Sequence, residues 1–235
     1  IEDKDYARAY EQLAIMESAD SEELNPRGKM AFILIKQQKY QEAILKLEEI
    51  LARAPASDKI RLYLGAVYEE TKDYRSAIDH FQKIPVGSSY FQESVIHSAY
   101  LHKLLGNYGK AVETIQSGIK AQDDHPPFYA LYASFLDDLK QYQKAVDMLS
   151  AAVVKFPEHV QLRFFLGNMQ DRVGDRDGTI ESMKKVLELD KNHVQALNFL
   201  AYTYAEKNMQ LEEAEAMVRR ALDLQPNDGY ILDTL

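Results

Sequence analysis

The 235-residue chain is 46% apolar, carries a net charge of −9 and contains no cysteine. That acidity argues against a nucleic-acid partner, which needs a basic face to neutralise phosphates. The missing thiols exclude disulfides, thiolate catalysis and Cys-based zinc sites, and no apolar run is long enough for direct insertion into a bilayer.

Near the amino end, "DYARAYEQLAIM" (5–16) places Tyr6 three residues before Ala9. The same pair returns every 34 residues, as Tyr40/Ala43, Tyr74/Ala77, Tyr108/Ala111 and Tyr142/Ala145. A fixed period of this size marks a repeat architecture. Counted from Leu24, the units are 24–57, 58–91, 92–125, 126–159, 160–193 and 194–228, the last with one extra residue in "EKNMQLEEA". Residues 1–23 read as the second helix of a truncated unit, and 229–235 ("GYILDTL") as the start of a further one. Neither end looks polar enough to cap an array, so the chain is expected to be a segment of a longer protein.

Within the units, the eighth place holds only Ala or Gly: Ala31, Gly65, Ala99, Ala133, Gly167 and Ala201. The twentieth holds Ala43, Ala77, Ala111, Ala145, Thr179 and Ala214, and the twenty-fourth Leu47, Phe81, Ile115, Leu149, Met183 and Val218. Small residues on successive helices let their axes approach, while bulky neighbours interdigitate around the contact. Each unit divides into two apolar-periodic segments separated by turn-like residues such as "TKD" and "LGN", and Pro55, Pro157 and Pro226 stand where a helix must stop. A unit this short buries its faces only by stacking on neighbours, which makes the chain an all-α solenoid. Pro85 is expected to end one second helix early, to lengthen the connection and to change the local pitch. The next helix is expected to restart near Ser89, with Ser89 and Gln92 as a capping box.

The period, the small residues and "LYLGAVYEETKDYRSAIDHF" (62–81) resemble the tetratricopeptide repeat family over essentially the whole chain. The resemblance implies one right-handed superhelical solenoid of antiparallel helix pairs spanning 1–235. Departures from the family pattern are the missing Trp early in the first helices and, in the fifth unit, Gln170, Arg176 and Thr179 where an aromatic, Tyr and Ala are usual. That unit is expected to pack most loosely.

Catalysis finds no support. His125, His159 and His193 recur at the repeat period, but stacked equivalents lie roughly 8–10 Å or more apart, too far to share an ion bound at about 2.0–2.1 Å. They read as polar residues leading into helices. His97 and His102 are five apart, not four, and His102 reads as a core histidine. "VGDRDGTIE" (173–181) resembles a calcium loop, yet it lacks the first oxygen ligand and has Lys184 in place of the bidentate Glu. It reads as a solvated turn. No phosphate cradle, H-E-x-x-H motif or nucleophile elbow occurs. The expectation is a non-enzyme with no catalytic residue, cofactor or metal.

The family resemblance implies that the first helices line a concave groove, the usual ligand surface. The corresponding places hold Phe32, Tyr63, Glu69, Glu70, Tyr100, Asp137, Asp138, Phe164, Asn168, Asp171, Asn198 and Tyr202, with Phe165 and Phe199 beside them and Lys29, Lys36 and Lys59 toward the amino end. Aromatic anchors among carboxylates suit a protein or peptide with some basic character. Gly28, Phe32 and the acids of the second unit stand where chaperone-docking members carry a carboxylate clamp, so that sub-family is set aside. Residues 196–235, including "PNDGYILDTL", resemble a recurrent ending of tetratricopeptide proteins of Gram-negative bacteria, many of them lipoproteins or envelope-associated. This points to the periplasm or outer membrane ahead of the cytoplasm, and to a scaffold in envelope assembly, export or proteolysis. The alternatives are a regulatory arm of a larger enzyme or secretion component, and self-association through the end helices.

Overall fold

The structure, a computed structural model, describes residues 24–226 and 228–234. The truncated unit expected over 1–23 lies outside them. All regular structure among the described residues is α-helical, and it falls into two compact units, one ending at Gln122 and one beginning at Asp123. The first holds α1 (Leu24–Lys36), α2 (Tyr40–Arg53), α3 (Asp58–Glu70), α4 (Tyr74–Gln82), α5 (Phe91–Leu104) and α6 (Tyr108–Ala121). The second holds α7 (Pro126–Asp138), α8 (Tyr142–Lys155), α9 (Val160–Arg172), α10 (Arg176–Leu189), α11 (Val194–Glu206), α12 (Leu211–Leu224) and the short α13 (Gly229–Leu232). Each odd-numbered helix through α11 packs on the next as a pair.

The turns within pairs show why the chain reverses so sharply. In each, one residue takes a left-handed backbone: Gln38, Lys72, Gly106, Lys140, Gly174 and Asn208, with φ between 50° and 82°. Its amide and the next one return to the preceding helix, as Lys140 N does to Asp137 O and Gln141 N to Leu136 O, both at 2.8 Å. These bonds satisfy the last carbonyls and turn the chain within three residues. In the last pair the extra residue makes the turn four residues long, and Gln210 becomes a second left-handed position with φ 44°.

The small residues sit at the heart of each pair. Ala43, Ala77, Ala111 and Ala145 are fully buried, as are Ala31, Ala99 and Ala201. A Cβ built on Gly65 would lie 2.5 Å from Phe81 Cε1, and one on Gly167 2.7 Å from Met183 Cε. Where the twenty-fourth residue is largest or longest, the eighth is therefore glycine.

The fifth repeat does not show the looseness expected of it. Thr179, Ser182, Met183 and Val186 are all buried. The Thr179 hydroxyl donates to Asp175 O at 2.8 Å, and Ser182 Oγ donates to Gln170 Oε1 at 2.6 Å. Both hydroxyls pack here because Ser182 bonds across to Gln170 on α9 and Thr179 bonds back to the carbonyl that opens α10.

Pro85 does shorten its helix: α4 has nine residues, whereas α2 has fourteen. The restart differs from the expected one. The next helix begins at Phe91 with Tyr90 as its N-cap, and Ser88 Oγ accepts from Tyr90 N at 3.3 Å. Gln92 does not close a box with Ser89; its side-chain amide donates to Gln122 Oε1 at 3.1 Å, and Gln122 Nε2 donates to Val86 O at 3.0 Å. The bond to Gln122 ties α5 to the segment after α6, which outcompetes a local cap.

Candidate functional site

Exposure of the first-helix aromatics follows their place in the repeat. Those at the ninth place, beside the buried small residue, face solvent: Phe32 (49% exposed), Tyr100 (44%) and Tyr202 (48%). Those at the fifth and sixth are half-buried: Tyr63, Phe164, Phe165 and Phe199. Tyr63 packs on the core shared by α2 and α3, and Phe164 and Phe199 pack on the core of the second unit. Phe164 also lies 4.8 Å from the His193 ring. The stripe thus divides into exposed aromatic faces and spacers between neighbouring helices.

The carboxylates divide too. Glu69 accepts from His97 Nδ1 at 2.6 Å, joining α3 to α5. Asp171 pairs with Arg176, whose guanidinium also lies 3.0 Å from Glu206 Oε2, so one cation links α9, α10 and α11. Both acids hold repeats together. Glu70 and Asp138 are exposed, and Asp137 and Asn168 are half-buried. Asn198 Nδ2 donates to Tyr230 O at 3.5 Å, and Tyr202 Oη donates to Glu206 Oε1 at 2.9 Å, which pushes the phenol pKa up. Toward the amino end, Lys36 Nζ lies 5.2 Å from the Phe32 ring centre and Lys59 Nζ 5.8 Å from that of Tyr63. These cations were legible only as charges in the sequence.

Two of the three periodic histidines cap helices with a ring nitrogen. His159 Nδ1 accepts from Leu162 N at 3.3 Å and His193 Nδ1 from Ala196 N at 3.2 Å, while His125 precedes α7 and rests edge-on against Phe128. No group of three or more His, Asp or Glu among the described residues is placed to hold a metal. In the loop resembling a calcium site, Asp175 caps α10 by accepting from Gly178 N at 3.0 Å. No described helix is long and apolar enough to cross a membrane.

Helix pairs of this kind, with size-matched contacts and left-handed turns, define a helical repeat scaffold. Tetratricopeptide repeat models match residues 34–86 and 194–228. The chain is 25% identical over 182 residues to a TPR repeat-containing protein of Pseudomonas aeruginosa, covering 76% of this chain and 30% of that protein. It is also 26% identical over 115 residues to tetratricopeptide repeat protein 8 of Caenorhabditis elegans, covering 49% of this chain and 22% of that protein. It therefore spans less than a third of either relative. Among solved structures, the C-terminal part of a TPR repeat-containing protein from Cytophaga hutchinsonii superimposes with a TM-score of 0.77 at 17% identity, covering 98% of this chain and 95% of that one. MamA from Desulfovibrio magneticus RS-1 gives 0.59 at 19%, covering 73% and 97%. The matched tetratricopeptide repeats support a protein-interaction scaffold.

Proposed function

We propose that the protein is a non-catalytic adaptor that holds a protein or peptide segment against the first helices of its repeats. The observation that carries this reading is the exposure of Phe32, Tyr100 and Tyr202 at one repeat place, next to a buried Ala in each case. Solvent-facing aromatics are costly to leave uncovered and are the commonest anchors of protein interfaces. Glu70 and Asp137 favour a partner with basic residues near its apolar anchors, whereas Glu69 and Asp171 are already occupied within the fold. Work in a bacterial envelope, in assembly, export or proteolysis, draws on the sequence pattern of residues 196–235 alone. A second reading, a regulatory arm of a larger machine, draws on the chain spanning only 30% of the Pseudomonas relative.

Photo-crosslinking tests the first reading. A photoreactive phenylalanine at residue 32, 100 or 202 should capture a discrete partner in the native host. The same group at exposed Leu45 or Val154, on second helices, should not. Equal capture from both sets would contradict the assignment, and capture of a second copy alone would point to self-association.

A further inference from the structure

The three exposed aromatics of the ninth place differ in what stands four residues on, one helical turn away. After Phe32 comes Lys36, whose ammonium lies 5.2 Å from the ring centre. After Tyr100 comes Leu104, which offers the phenol no acceptor. After Tyr202 comes Glu206, and the Tyr202 hydroxyl donates to its Oε1 at 2.9 Å. The other oxygen of that carboxylate, Oε2, lies 3.0 Å from the Arg176 guanidinium. Arg176 in turn pairs with Asp171.

These contacts join three helices, because Asp171 lies on α9, Arg176 opens α10 and Glu206 closes α11. A carboxylate bonded through one oxygen still turns about its own torsions. Glu206 is held through both oxygens, by partners on two different helices, and its orientation is set. An isolated exposed ion pair contributes little, but a network of charges holds its geometry better. The planar fork of Arg176 suits that task, since it reaches two carboxylates at once. In the first four repeats the same place holds Tyr40, Tyr74, Tyr108 and Tyr142, and a phenol, with one hydrogen to donate, cannot bridge two acids.

We propose that Arg176 is a positioning residue for partner binding: through Glu206 it holds the Tyr202 phenol in the orientation that a partner meets, so this anchor is ordered before it is covered. The proposal rests on the adaptor reading above. Immobilising a free side chain on binding weakens association, and a side chain ordered in advance avoids that loss. Tyr100, at the same place but followed by Leu104, lacks this support and serves as an internal control.

Two readouts test it. The first needs no partner: NMR couplings of the whole chain, labelled at its tyrosines, report the Tyr202 rotamer. The native protein should show a single rotamer. Arg176→Met and Glu206→Leu, the second copying Leu104, should each give averaged couplings at Tyr202 while Tyr100 and the helicity stay unchanged. Arg176→Lys should fall between. The second readout is affinity for the protein captured by the aromatic-face crosslinks. Arg176→Met should weaken it about threefold, the scale of one side chain left to be ordered. In a Tyr202→Phe background it should have no further effect, because the hydroxyl that Glu206 holds is gone, whereas a merely structural role for Arg176 would persist. An unchanged Tyr202 rotamer in a folded Arg176→Met protein, or an equal loss in the Tyr202→Phe background, would overturn the proposal alone. Affinity indifferent to Tyr202→Ala would overturn it together with the adaptor reading.

Discussion

Gly65 on α3 lies directly against the Phe81 ring on α4, so near that a methyl group on Gly65 would come within 2.5–2.7 Å of three ring atoms. The equivalent contact in the fifth repeat sets Gly167 against the end of Met183. A phenyl ring is rigid, whereas a thioether can rotate out of the way.

Gly65→Ala should therefore destabilise the protein by about 1–3 kcal/mol despite the helix propensity gained. Gly167→Ala should cost less. Gly28→Ala, where a methyl group meets nothing within 4 Å, should be neutral or stabilise by up to about 1 kcal/mol. Urea midpoints rank the three. Adding Phe81→Leu to Gly65→Ala should recover part of the loss, a coupling that a double-mutant cycle reads directly.

The turns predict a gain. Lys140 holds a left-handed backbone that costs a side-chain-bearing residue roughly 1–2 kcal/mol, while Gly106 and Gly174 occupy the same place in their own turns. Lys140→Gly should raise stability by about 0.5–1 kcal/mol and Gly174→Ala should lower it by a similar amount. Denaturant melts at constant slope would show both shifts.

Acid should weaken the fold before any carboxylate is protonated. Burial is the main cause that lowers the pKa of His80 and His102, with Lys83 and Arg61 adding at the first and Lys110 at the second, against Asp79, Glu48 and Glu113. The unfolded chain therefore binds protons these sites refuse, and stability falls as pH drops below about 6.5 and levels off below the folded values. The urea midpoint should be lower at pH 5.5 than at pH 7.5, and His80→Gln with His102→Gln should flatten the difference.

At the alkaline end, Tyr68 should be among the last phenols to ionise. Burial and the hydrogen bond that it donates to Glu48 at 2.9 Å push its pKa up to about 12. Because the folded state resists ionisation, its contribution to stability is present below pH 10 and is lost as pH rises toward 12. Absorbance titration of the phenolates should lose a high-pH step in Tyr68→Phe, and a step unchanged in that variant would contradict the assignment.

The helix pairs were legible because one physical requirement, a small residue facing a large one, repeats at a fixed interval. What the interval does not encode was harder to read. Ser89 looked like a cap because Pro85 announced a break, but it carried no information that α6 ends beside Gln92. The histidines at 159 and 193 cap helices through a ring nitrogen, a role that their residue type rarely signals. Glu69 and Asp171 looked like ligand-facing charges because their partners, His97 and Arg176, sit in other helices.

The exposed aromatics are the basis of the functional reading, and partner affinity is its most direct measure. Once crosslinking has supplied a partner, calorimetry should compare the native protein with the Phe32→Ala, Tyr100→Ala, Tyr202→Ala variant. The account predicts a loss of at least ~30-fold, about 2 kcal/mol, with helicity and melting temperature retained. Affinity within twofold of the native protein, in a variant equally folded, would contradict it.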